Sequence, residues 1–308
     1  MKFKRALVLI ALIIGSSIVN AQSKIVFSRS KGGLNTGASL NLMLYDTKTK
    51  KTSLLLKGTV KRRGEYNATI SPDNSKIIFN TYRFSGWKLG IGDFKKGVIS
   101  NVRRLTNRPN YEYSGVFSPD GRMIAFREYN WSNNQVDIFV SDKNGKNVKH
   151  FFTPNFNIQK LDWTKDSKSI VFACPENKKV KVCVKPIAGI QKVKRLKGDG
   201  GNNFASSVSK KNNRIAFLSD RSRRVQLYTM NLDGSDVKNI TPKLVTDDVS
   251  GDTAAWPYKT SWSPNGEKIV FNAKIKGNFE IFIVGKEGKG LIQITKNKDT
   301  DITPYWAQ

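Results

Sequence analysis

A ten-residue unit recurs along this chain: an apolar or aromatic residue, Ser-Pro-Asp/Asn or a variant, a short polar turn, then Ile-hydrophobic-Phe. It reads ISPDNSKIIF from Ile70, FSPDGRMIAF from Phe117 and WTKDSKSIVF from Trp163, then VSKKNNRIAF from Val208 and WSPNGEKIVF from Trp262. The Ile residues fall at 77, 124, 170, 215 and 269, and Ile25 in SKIVFSR makes a sixth. Successive gaps are 52, 47, 46, 45 and 54. A period of roughly 45 residues with several short strands per unit is the signature of a β-propeller, not of a helical solenoid.

The strands can be counted inside one unit. GRMIAFRE is followed by a loop, then VDIFVSD, the turn KNGK and NVKHFF. With the strand leading into FSPDG, that makes four antiparallel strands. Pro, Asp-Gly and Asn-Gly occupy the turns, where fixed or positive φ is needed. The expected fold is all-β: a six-bladed β-propeller of four-stranded antiparallel blades. The terminal PYWAQ supplies an inner strand, and SKIVFSR supplies the next strand of the same blade. Pairing head with tail closes the ring and removes two sheet edges.

FSPDGRMIAF, WSPNGEKIVF, LYTMNLDGSDVKNIT (Leu227 to Thr241) and PYWAQ resemble the TolB-type propeller repeat. The resemblance covers nearly all of the chain beyond its first 21 residues. It speaks for fold more than for function, because these residues build turns and blade cores. TolB proteins carry an α/β domain before the propeller. None is read here, so that domain's functions do not carry over. The resemblance implies an exported, periplasmic scaffold whose channel mouth docks another protein, in the manner of the Tol–Pal envelope system.

The N-terminus reads as a secretory signal over residues 1–21. Lys2, Lys4 and Arg5 form its charged region and Ala6 to Ile14 its apolar region. Val19-Asn20-Ala21 forms the cleavage site, so the propeller is expected over 22–308. The apolar run is short for a membrane anchor. The net charge of +29 becomes +26 once the three signal charges are subtracted. That excess suggests an anionic partner. Export makes nucleic acid the weakest choice, and Lys and Arg are scattered as a solvated surface would have them. Cys174 and Cys183 flank PENKKVKV, read as a hairpin with its turn near Lys178-Lys179. That places the two cysteines opposite each other, within disulfide reach; the alternative is two buried thiols.

Catalytic residues are few. The single histidine, His150, falls on an outer strand, and GxSxG is absent. Asp73 and Asp120 read as turn residues. Aligning the repeats on the Ser of Ser-Pro-Asp and stepping back six positions gives Glu65, Glu112, Ile158, Asn203, Pro257 and Asp301. The next position gives Tyr66, Tyr113, Gln159, Phe204, Tyr258 and Ile302. These residues should ring one mouth of the channel. Loops on the same face hold Asp247, Asp248 and Asp252, and a basic set: Arg29, Lys31, Arg83, Arg127, Arg221, Arg223, Arg224, Lys274 and Lys276.

The expected mouth is therefore an acidic, aromatic centre within a basic ring. Glu65, Tyr66, Glu112, Tyr113, Asn203, Tyr258 and Asp301 are its candidate partner-binding residues. The carboxylates would accept a Lys or Arg side chain from a protein partner, or a Ca²⁺ ion. They could equally be strand-end residues facing a watery channel. The favoured reading is a monomeric, non-enzymatic binder of a protein partner. The alternatives are a lyase or hydrolase acting on an acidic polysaccharide and an electrostatic binder of an anionic envelope polymer.

Overall fold

A computed structural model of the chain describes residues 24–34, 36–154, 160–177, 179–197, 200–247 and 257–307. The signal segment, Ile158, Gln159, Asp248 and Asp252 lie outside them. Among the described residues, 24 strands form six separate four-stranded antiparallel sheets. The innermost strands are Glu65–Ile70, Tyr111–Phe117, Leu161–Trp163, Asn203–Val208, Thr260–Trp262 and Thr300–Trp306. Taken in this order they define blades one to five and a closing blade. In the closing blade Thr300–Trp306 pairs with Lys24–Ser30, matching Ile25 with Trp306, Val26 with Tyr305 and Arg29 with Asp301. The ring is closed by head-to-tail pairing, as the repeat count requires.

The Ile-x-Phe segment is the second strand of every blade. Ile25, Ile77, Ile124, Ile170, Ile215 and Ile269 are fully buried, and so are Phe27, Phe79, Phe126, Phe172, Phe217 and Phe271. The residue between them is equally buried: Val26, Ile78, Ala125, Val171, Ala216 and Val270. Alternate side chains of a strand point to opposite faces, so each second strand is covered by a blade on either side. Six apolar clusters result, one at each blade–blade interface. Burying each Phe contributes about 2–3 kcal/mol.

The Ser-Pro-Asp turn stabilises the step from first to second strand. The hydroxyls of Ser71, Ser118, Thr164 and Ser263 accept the backbone N–H five residues on at 2.9–3.0 Å. Asp73, Asp120, Asp166 and Asn265 accept the N–H two residues on, the Asx-turn geometry. Neighbouring blades are joined by polar bonds: Trp163 Nε1 donates to Val116 O at 3.1 Å, and Trp262 Nε1 to Ser207 O at 3.3 Å.

Four inner strands are bulged near their middle. Asn67, Ser114, Ala205 and Thr303 have φ between 51° and 56° there. All four occupy one repeat position, four residues before the turn Ser or its equivalent. A bulge re-aims the side chains around it. The same position in blades three and five is Lys160 and Lys259.

Cys174 and Cys183 form a disulfide with Cα atoms 5.9 Å apart, which fits an oxidising compartment. The register differs from expectation. Cys174 faces Lys181 and Cys183 faces Phe172, because Glu176 pairs with Lys179. The turn falls one residue earlier, and Asn177 takes its left-handed position at φ 46°. The bond therefore runs diagonally across the pair.

Candidate functional site

The predicted mouth residues occupy equivalent strand-end positions, but their charges are turned inward. Glu65, Glu112 and Asp301 have no exposed surface, and Asn203 is 1% exposed. Arg83 Nε donates to Glu65 Oε1 at 2.8 Å. Arg221 Nη2 donates to Asn203 Oδ1 at 2.9 Å. Arg29 grips Asp301 with two bonds, Nε to Oδ1 at 2.7 Å and Nη2 to Oδ2 at 2.8 Å. Glu112 accepts from the Thr106 hydroxyl, with Arg104 Nε 3.9 Å from its other oxygen. Acidic centre and basic ring are thus one set of radial pairs. Three of the expected basic residues belong to those pairs, while Lys31, Arg223, Lys274 and Lys276 remain exposed.

Burial sets the electrostatics. It pushes the Glu112 carboxyl up to about 7, against the Thr106 hydrogen bond and the Lys88 and Arg104 charges. It raises Glu65 as well, against bonds from Thr81 and Arg83. The Asp301 bond holds the Arg29 guanidinium above its ordinary value. Among the described residues no group of three His, Cys, Asp or Glu is placed to hold a metal ion. Asp247 accepts the N–H groups of Lys276 and Gly277 at 2.6 and 2.7 Å, fixing that loop.

The aromatic positions divide into two groups. Phe204, Tyr258 and Phe279 pack in sequence at 5.2 and 5.1 Å between centroids, the first pair tilted and the second edge-on. Tyr66 and Tyr113 join a larger array. Trp87 lies 5.1 Å from Tyr66, 5.3 Å from Tyr82 and 6.3 Å from Tyr113. Tyr111 continues it from Tyr113 at 6.4 Å to Trp131 at 5.7 Å, and Trp131 meets Tyr129 edge-on at 4.4 Å. Arg63 lies over Tyr82, and Arg127 lies over Tyr113 at 4.5 Å. Burial pushes the Tyr66 phenol up to about 12, so it stays a neutral donor.

This array borders two cavities of about 320 and 720 Å³ that share Tyr113 and Arg127. Trp131, at the edge of the larger one, is 64% exposed. Tyr82, Trp87, Tyr129 and Trp131 escaped the repeat alignment because they sit at second-strand ends and in the following loops. Their signal is in the sequence, in TYRFSGW and REYNW. Connectivity alone puts these loops on the mouth face.

A TolB from Acinetobacter baumannii superposes with TM-score 0.73 at 19% identity, over 92% of this chain and 66% of that one. The fold is that of a TolB-like β-propeller. A TolB-named protein from Agrobacterium tumefaciens matches with TM-score 0.64 at 14% identity, over 92% of this chain and 98% of that one. An oligogalacturonate lyase from Vibrio parahaemolyticus matches with TM-score 0.55 at 12% identity, over 89% of this chain and 74% of that one. No family model and no curated protein matches the sequence. His150, expected on an outer strand, is exposed there and bonded to Asp137 and Thr153.

Proposed function

We propose that this chain is an exported, non-enzymatic scaffold that docks a protein partner on the aromatic face of blades one and two. The observation that carries the reading is the run of seven rings from Tyr66 to Trp131, flanked by Arg63 and Arg127 and ending in an exposed Trp. Tyr, Trp and Arg dominate the energetics of protein interfaces, where they act as rigid anchors in desolvated pockets. The partner is a cell-envelope protein with apolar side chains for the two cavities and acidic groups for Arg63 and Arg127. A chain this basic also speeds encounter with an acidic partner. Glu65, Glu112, Asn203 and Asp301 serve the interface indirectly, by holding arginines and strand ends in place.

The test is site-specific photocrosslinking in cells from position 131, compared with position 73 in a turn at the opposite end of the ring. One dominant protein adduct from 131 and none from 73 supports the reading. Equal labelling from both positions, or none from either, overturns it. The polysaccharide-lyase alternative shares only a fold with its structural neighbour.

A further inference from the structure

The central channel, deeper than the mouth, contains a cavity of about 50 Å³. Lys160 and Lys259 both line it and are 8% exposed. Neither forms an ion pair with a carboxylate among the described residues. Lys259 Nζ donates to Ala68 O at 2.8 Å and lies 4.9 Å from the centre of the Tyr305 ring. Lys160 makes no hydrogen bond among the described residues. The one carboxylate lining the cavity, Asp162, is already engaged: Lys210 Nζ donates to it at 2.9 Å and Val208 N at 2.7 Å. Ser206 and Ser261 line the same space.

Two ammonium groups withdrawn from water without a counter-charge are costly. They either lose protons or take up an anion. We propose that the channel cavity binds one small free oxyanion, of sulfate or phosphate size, between the ammonium groups of Lys160 and Lys259. The size fits, since roughly 10–15 Å³ of such volume holds one water and this cavity has room for a few. The sequence offers a reason for the placement: both lysines stand at the bulge position that carries Asn, Ser, Ala and Thr elsewhere in the ring.

Charge around the amines agrees. Burial lowers Lys160 well below its ordinary range, and Lys259 and Arg127 add repulsion. Burial lowers Lys259 to about 7, opposed only by Asp162. A bound dianion reverses both effects, so binding takes up protons and weakens as pH rises. The inference stands apart from the docking face, which lies at the mouth.

Isothermal titration of sodium sulfate into the full folded chain, at constant ionic strength set with chloride, tests it. Sulfate is chosen because its own charge does not change over the range. The expected result is saturable one-to-one binding at about pH 6, weakened at least tenfold at about pH 9. Lys160→Met and Lys259→Met should each weaken binding at least tenfold, whereas Lys31→Met should not. No saturable binding at the lower pH, or unchanged binding in either cavity variant, overturns the proposal. Should a cavity variant fail to fold, the wild-type pH series decides: affinity independent of pH overturns it equally.

Discussion

Arg29 and Asp301, 272 residues apart, form a two-pronged ion pair across the seam where the ends of the chain meet. Asp301 is fully buried, and Asn297 Nδ2 donates a further bond to it at 3.0 Å. The Arg29 guanidinium also lies 5.4 Å from the Phe27 ring centre. Removing one partner of such a buried pair leaves a charge uncompensated, at a cost of about 3 kcal/mol. Arg29→Leu is therefore expected to lower the unfolding free energy by about that amount. Asp301→Leu combined with Arg29→Leu should cost much less than the two single changes summed. Urea titrations of the four proteins check this; additive losses would show that the pair does not hold the seam.

Glu112 makes the opposite prediction. Its Oε2 and the facing Arg104 Nε are both buried without a hydrogen bond, so desolvation outweighs pairing. The folded-state carboxyl titrates at about 7, above its ordinary 4.5. Between those values the folded state holds more protons than the unfolded one, so stability falls as pH rises through this window. Glu112→Gln removes the titration. It is expected to gain on the order of 2 kcal/mol relative to wild type at about pH 8, and little at about pH 4.5. Denaturant midpoints at the two pH values check it, and a gain independent of pH would contradict the assignment.

The ring was legible because its cause is local and repeated. Ile-x-Phe after a polar turn recurs in every blade, and the burial of all six Ile and all six Phe follows from that pattern. The mouth was legible in position but not in chemistry. A repeat alignment places Glu65, Asn203 and Asp301 along a strand, but does not show that Arg83, Arg221 and Arg29 reach back to them. Charges that looked like two concentric rings are radial pairs within single blades. The cysteine hairpin shows a related limit. Moving the turn by one residue changes the cross-strand partner of Cys174 by two, to Lys181. Lys160 and Lys259 give no signal in the repeat, because their position in the other blades holds small or neutral residues, and only burial makes an ammonium there costly.

The disulfide closes a segment with a sequence separation of 9. A loop of this length restricts the unfolded chain by about 2.5 kcal/mol in the chain-entropy account. Cys174→Ala with Cys183→Ala should therefore lower stability by about 2–3 kcal/mol while leaving the fold intact. Reductant should destabilise wild type and leave the double variant unchanged. Equal melting temperatures for oxidised wild type and variant would show that the hairpin is held by its strands alone.

Trp131 and Tyr113 separate docking from folding. Trp131 is 64% exposed and touches mainly other rings of the array, whereas Tyr113 is 9% exposed beneath Arg127. Truncating an exposed side chain costs little stability, so Trp131→Ala is expected to change it by about 0.5 kcal/mol. Tyr113→Ala removes a buried ring and should cost about 3 kcal/mol. If the array is the docking face, Trp131→Ala weakens partner binding by about 2 kcal/mol, roughly thirtyfold, because exposed anchors of this type carry interface energy. Surface plasmon resonance with the crosslinked partner, alongside thermal melts, reads both quantities. A Trp131→Ala protein with native stability and undiminished affinity would place the interface elsewhere on the ring.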